Sequence, residues 1–266
     1  MNKVLIAAAL TLAGAATAQA ADLRARPYTK AAPIVDAAYD WSGFYIGAHG
    51  GGGWGNSDWT VVTDQTTFVD LPPAGLGSHL TSHKVSGGLG GGQIGYQKQF
   101  GQWVLGGEFS GAFSALEGSS KSIFQAADDI YTTKITDLFL ATGRVGYAAG
   151  MWMPYIRAGF ASANVKTSIV DTNPPIPSGA AGTWFARERH YGWTAGVGIE
   201  YAIAPNWIVG VQYDHVGLDS KNHSALGVTS SGVSQLWAGD IDVDRIDLVT
   251  ARISYKFGAG PVVAKY

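Results

Sequence analysis

The chain has 266 residues, a formal net charge of −2, 37 glycines, 12% aromatic residues and no cysteine. Without cysteine there are no disulfide staples, thiolate metal sites or cysteine nucleophiles, and the near-neutral balance offers no basic surface for nucleic acid. Only 14% of the residues are charged, and so much glycine and aromatic side chain favours β-structure over a helical bundle.

The chain begins with Asn2 and Lys3, continues with an apolar run over residues 4–18, and reaches Ala18-Gln19-Ala20. A basic start, a short apolar stretch and a small-x-small site predict a signal peptide over 1–20, cleaved after Ala20. Residues 21–40 carry two prolines and no sustained period, and are expected to be an extended periplasmic linker. No later segment is apolar over the roughly 20 residues that a membrane helix needs. A membrane assignment therefore requires strands.

From Trp41 the sequence alternates with a period of two, and strand-like runs fall at 42–54, 86–99, 103–113, 136–147, 152–165, 190–202, 207–218 and 243–257. The links at 100–102, 148–151 and 203–206 are tight, whereas 55–85, 114–135, 166–189 and 219–242 are long and polar. Strict alternation of short and long links is what a transmembrane barrel shows, with turns on the periplasmic side and loops outside. The expected fold is all-β: an eight-stranded antiparallel up-and-down transmembrane barrel over 41–257, followed by a periplasmic tail over 258–266.

The charges orient the two faces. Phe109, Phe139, Val145, Tyr147, Ile156, Phe160, Val197, Ile199, Val211, Tyr213, Val249, Ile253 and Tyr255 share one parity. Gln93, Gln97, Glu108, Thr142, Arg144, Arg157, Glu200, Gln212, Asp214, Arg252 and Lys256 share the other. Turning Arg144, Arg157 and Arg252 towards lipid would cost roughly 2–4 kcal/mol each near the midplane. The apolar parity must meet lipid and the charges must meet the lumen. The opposite arrangement, an exported soluble barrel with its apolar face inside, leaves the loop alternation without a reason.

Eight strands enclose a space that side chains can fill. Glu108, Arg144, Arg157, Glu200 and Arg252 are the long charged groups placed there, and they form either a structural plug or a gated ion path. Asp240, Asp242 and Asp244 alternate in DIDVDRID, which suits a solvated rim or an oxygen site for a divalent cation. His79 and His83 sit four apart in a Ser- and Gly-rich stretch, a weak zinc pattern off a helix. The glycine runs at 50–53 and 87–92 lack the Gly-Lys-Ser/Thr of a phosphate loop and suit bent, closely packed strands. Trp41, Trp103, Trp152, Trp193, Trp207 and Tyr201 lie near strand ends, as interfacial girdles do. Nothing in the sequence assembles a nucleophile, a base and an oxyanion donor, and no cofactor is expected.

The segments WSGFYIGAHGGGGWG (41–55), GRVGYA (143–148), YGWTAGVGIEYAIAPNWIVGVQYDHVGL (191–218) and ARISYKF (251–257) resemble the opacity-protein-like surface antigens, also known as porin-family outer-membrane β-barrel proteins of Gram-negative and especially alphaproteobacterial cells. The resemblance implies an eight-stranded barrel like the OmpA membrane domain, with surface-antigen and envelope-integrity roles and no reaction. It further implies that Tyr255 and Phe257 form the terminal aromatic signal read by the barrel-assembly machinery. Two departures stand out. The chain continues past Phe257 to Tyr266, so either aromatic could serve as the signal, and Gln212 occupies a position where the family more often carries Glu. The expected partners are outer-membrane lipid, lipopolysaccharide, the assembly machinery and an unnamed extracellular ligand. Small diffusion channel is the alternative function.

Overall fold

The computed structural model describes residues 39–64, 77–121, 129–171, 182–229 and 234–258. The expected signal peptide, most of the linker and the tail from 259 onward lie outside the described residues. The described residues form nine strands: β1 (Gly43–Asp64), β2 (His79–Phe100), β3 (Trp103–Lys121), β4 (Ile130–Tyr147), β5 (Trp152–Asp171), β6 (Gly182–Ala204), β7 (Trp207–Leu218), β8 (Lys221–Thr229) and β9 (Ser234–Phe257). Strands β1 to β7 pair in chain order, β9 follows β7, and β9 returns to β1, so the sheet closes and leaves no edge. Closure is what hydrocarbon demands, since an open edge would strand backbone N–H and C=O groups.

Strand β8 adds no ninth wall position. It continues the line of β7 beyond a break at Asp219 and Ser220, pairing with residues 182–185 of β6 and 234–241 of β9. The barrel therefore has eight wall positions, the seventh of them interrupted.

The tight turns at the periplasmic end are where expected. Gly101 and Gly150 adopt φ of 61° and 66°, a left-handed backbone that glycine enters without the Cβ penalty. Above these turns the parity of the greasy face is unambiguous. Trp152, Pro154, Ile156, Ala158 and Phe160 of β5 point outward, whereas Met153, Tyr155 and Arg157 point inward. Ile156 is 62% exposed and Phe160 51%. The same band runs over residues 139–147 of β4 and 249–257 of β9, matching the roughly 9–11 residues of a tilted membrane strand.

The strands run further outward than the alternation of links predicts. Residues 55–64, 79–85, 114–121, 130–135, 166–171 and 182–189, expected in loops, are strand. The physical reason lies in their binary pattern. Above the apolar band the polarity of the two faces inverts: on β5 the outward parity now carries Asn164, Lys166 and Ser168, while Ala161, Ala163, Val165 and Ile169 point in. A strand that leaves lipid for water keeps its period and exchanges its faces. Irregularities in register near this change, between Phe113 and Leu116 and between Ile135 and Asp137, shift the parity by a residue, as β-bulges do.

Trp59, Leu80, Leu116, Tyr131, Ile135, Val165, Ile169, Trp184 and Ile241 fill the extracellular half of the interior as one buried apolar cluster. A smaller cluster of Trp41, Val104, Met153, Tyr155, Ala202 and Ile208 fills the periplasmic mouth. Trp41 corrects one expectation: it is wholly buried, its indole N–H donating to the Gly150 carbonyl at 3.2 Å. Trp103, Trp152, Trp193 and Trp207 do face outward.

Candidate functional site

Between the two apolar clusters lies a polar layer built from one inward position on each of several strands. Glu108 on β3, Arg144 on β4, Arg157 on β5, Glu200 on β6 and Arg252 on β9 meet there, and all are buried. Arg144 forks onto Glu200, with Nη2 2.6 Å from Oε2 and Nη1 3.2 Å from Oε1. Glu108 is the hub. Its carboxylate accepts from Arg157 Nη1 at 2.8 Å, from Arg252 Nη1 at 3.2 Å and from Arg252 Nη2, and lies 3.5 Å from Arg144 Nη1. Arg252 Nε also lies 3.2 Å from Glu200.

Asp214 on β7 completes the layer, its carboxylate 3.2 Å from Arg157 Nε. That contact is close enough for attraction yet misaligned for a hydrogen bond, for neither atom makes one. The layer thus sets three carboxylates against three guanidiniums, and charge balance is what makes so many buried ions tolerable. Neutral groups join the pairs together. Gln212 Oε1 accepts from Arg157, Arg252 and the Tyr155 hydroxyl at 2.9, 2.8 and 2.8 Å, and its amide donates to Asp214 at 2.6 Å. The Tyr45 hydroxyl donates to Glu108 at 2.8 Å and accepts from Arg144 at 3.2 Å. Arg144 also lies over the Tyr155 ring at 4.1 Å.

Sequence reasoning placed Asp214 and Gln212 on the lumenal parity but not in the network, and it missed Tyr45 and Tyr155. Their neighbours in space are tens of residues away in the chain. The available signal was parity alone: Asp214 and Gln212 take the inward parity of β7, paired with Gly196 and Gly198 of β6. A cavity of about 20 Å³ touches Glu108, Gln212, Asp214, Thr250 and Arg252, room for about one water.

The other candidate residues do not come together. His79 is exposed and contacts Ser82 at 3.0 Å, whereas His83 is buried and meets Ser120 at 3.1 Å, so the two share no site. Asp240 and Asp242 lie on the outer parity of β9, and the Asp244 side chain lies outside the described residues. Among the described residues no group of three or more His, Asp or Glu is placed to hold a metal ion.

The extracellular half contains a polar feature that spacing could not reveal. His190 and His223, 33 residues apart, are fully buried with their Nε2 atoms 2.8 Å from each other. His190 Nδ1 lies 2.9 Å from the Asp219 carbonyl and must donate to it. Its Nε2 is then the acceptor, His223 Nε2 is the donor, and His223 Nδ1 accepts from Thr167 at 3.1 Å. Every ring nitrogen is satisfied with both rings neutral, and two protonated rings would set one Nε2–H against the other. Burial, followed by the neighbouring His190 and Lys221, pushes His223 down to about 3, and burial first of all lowers His190.

A family model for the outer membrane protein beta-barrel domain matches residues 6–257. The 31 kDa outer-membrane immunogenic protein of Brucella melitensis biotype 1 is 29% identical over 223 residues, 83% of this chain and 89% of that protein. The 25 kDa outer-membrane immunogenic protein of Brucella canis is 26% identical over 232 residues, 86% and 90% of the two chains. Among solved structures, the outer membrane protein OprG of Pseudomonas aeruginosa aligns with a TM-score of 0.48 at 14% identity, covering 84% of this chain and 99% of that one.

Proposed function

Since the chain belongs to the outer membrane protein beta-barrel domain family and resides in the outer membrane as a multi-pass barrel, we propose that it is a non-enzymatic wall protein and surface antigen, its lumen sealed against ions. The observation that carries this reading is the layer of Glu108, Arg144, Arg157, Glu200, Asp214 and Arg252, stacked between two apolar clusters with about 20 Å³ left beside it. A hydrated ion would have to displace paired charges and cross apolar side chains on either side. Nothing in the layer resembles a nucleophile with a base and an oxyanion donor. Its acids and bases neutralise one another.

The extracellular half supports the antigen role, since it carries polar strand surface outward beyond the lipid, and the relatives are named as immunogenic proteins. At the opposite end Tyr255 and Phe257 face lipid with rings 5.0 Å apart, which suits a signal read by the assembly machinery. The test of the sealed lumen is the conductance of refolded full-length protein in a planar bilayer. Silence or rare brief openings are expected, and a steady current through most inserted molecules would turn the reading to a small diffusion channel.

A further inference from the structure

Four strands present a row of charges on the outer wall just above the lipid band. Glu117 of β3, Lys134 of β4, Lys166 of β5 and Arg187 of β6 are direct register partners in succession, and all four take the outward parity. Like charges directly opposite each other destabilise a sheet, and here two such contacts are adjacent, Lys134 with Lys166 and Lys166 with Arg187. Lys134 is compensated by Glu117 at 2.9 Å. One row lower, Arg189 is compensated by Asp137 at 2.8 Å. Lys166 and Arg187 have no ion-pair partner among the described residues, so the patch holds four cations against two anions.

Its position selects the anion. Two residues below Arg189, Tyr191 stands beside Ser162 and Phe139 in the top row of the lipid-facing band, and Tyr191 stacks on Phe160 at 5.9 Å. Arg187 is four residues above Tyr191, which at about 3.3 Å per residue and a tilt near 40° is about 10 Å of height. Long cationic side chains can snorkel down from there into a headgroup layer. A ligand on this wall would rest acyl chains on Phe139, Phe160 and Tyr191 and its head on the cations. An open groove of about 450 Å³ lies along the row, edged by Glu117, Thr132, Lys134, Lys166, Ser168 and Arg187, with room for sugar. The far side of the extracellular wall, on β1 and β9, is net negative, with Asp58, Asp240, Asp242 and Asp247 on its outer parity against the single cation Arg245.

We infer that Lys134, Lys166 and Arg187 bind the phosphorylated sugar headgroup of an outer-leaflet glycolipid, lipopolysaccharide by chemistry. The inference rests on the outer-membrane placement but not on the sealed lumen, so a conducting barrel would leave it standing.

The test measures binding of lipopolysaccharide, and of the same lipid stripped of phosphate, to full-length protein in a neutral detergent. The phosphorylated lipid should bind at least tenfold more tightly. At the usual worth of a cation near an anionic lipid surface, the paired change K166E and R187E should weaken it roughly thirtyfold. Lys84→Glu, an exposed outward cation on β2, should leave binding within twofold. Gel mobility before boiling reports whether each variant folds. Should the reversal fail to fold, K166Q with R187Q carries the test, because it removes repulsion instead of adding it. Unchanged binding in either paired variant, or an equal loss with Lys84→Glu, would overturn the site. Displacement of the lipid by millimolar inorganic phosphate would overturn the glycolipid assignment in favour of a simple anion site.

Discussion

The membrane half and the extracellular half of this barrel are made by the same strands and obey opposite rules. Within lipid, β5 turns Ile156 and Phe160 out and Arg157 in; a few residues later it turns Lys166 and Ser168 out and Val165 and Ile169 in. The β5 strand runs unbroken across the change, with only the pairing to β4 slipping by a residue between Ile135 and Asp137. What changes is the solvent outside, and the interior changes with it: ions paired in a buried layer below, an apolar core above. Side-chain polarity in a strand thus reports which medium the outer face meets, and a single strand can report two.

The largest expected effect breaks the lower half from inside. Glu108→Ala removes the carboxylate shared by Arg144, Arg157 and Arg252. Leaving buried guanidiniums short of a partner should cost about 3–5 kcal/mol, read as a drop in the urea midpoint of unfolding from phosphatidylcholine vesicles. A Trp184→Ala change in the upper core should cost a similar 3–5 kcal/mol by a different mechanism, a cavity. The two differ in salt dependence and in rescue. Arg144→Ala combined with Glu200→Ala should cost less than the two single changes added, since the double change removes both halves of the fork. Strict additivity would mean that the fork does not couple.

A second test moves one charge along the outer face of a single strand. Phe160→Arg on β5 places a guanidinium in the lipid band and should cost about 2–4 kcal/mol if it sits near the midplane, less towards the interface. Ser168→Arg, eight residues further along the same face, should change stability by no more than about 0.5 kcal/mol. Equal costs at the two sites would erase the boundary drawn between the halves.

That boundary also separates what could be read in the sequence from what could not. Lower-half parity was legible because lipid makes it strict: thirteen apolar positions and eleven polar ones sorted onto two faces, and burial follows that sorting at Phe139, Ile156, Glu108 and Arg252. The tight turns were legible from Gly101, Gly150 and Pro205-Asn206. The upper strands were not, because Ser, Thr and Gly resemble loop when the search is for an outward greasy face. Their inward alternation, Trp59 with Val61 and Ile241 with Val243, was present but belonged to the other parity. Trp41 sat at a strand end like a girdle residue, and only the packing of the mouth shows it as a plug. The meeting of His190 with His223 depends on the break at Asp219 and Ser220, which no local pattern announces.

A smaller effect tests the polar layer at the position where the family resemblance departs. Gln212→Glu would keep an acceptor for Arg157 and Arg252, lose the amide donor to Asp214, and set a fourth carboxylate against three guanidiniums. Losing a buried hydrogen bond to a charged group predicts about 1–3 kcal/mol. Adding Asp214→Asn restores both the donor and the count of three against three, so the double variant should recover most of the loss. Failure of that recovery, in the same urea titration, would mean that Asp214 is not part of the balance.

The smallest effect is confined to the upper half and appears only on acidification. The chain from Thr167 to the Asp219 carbonyl is satisfied with both imidazoles of the His190–His223 pair neutral, and burial holds both below their ordinary value. The charged groups acting on the pair are Lys221, which opposes protonation of both, and Glu188 and Asp219, which favour it at His190. With the folded values depressed, the unfolded chain binds more protons below about pH 6.5, so stability is fully present above that pH and is lost as the pH falls towards about 3. The loss should approach about 1.4 kcal/mol per pH unit for each proton taken up only on opening. Because β8 meets β6 through only residues 182–185, the strain should be local. Amide protection, measured against intrinsic exchange at each pH, should therefore fall in β8 and in residues 186–191 between pH 6.5 and 5, with residues 139–147 of β4 unaffected, and His223→Phe should flatten the dependence. A uniform loss of protection through both halves would show that the two halves unfold as one unit and not as separately solvated layers.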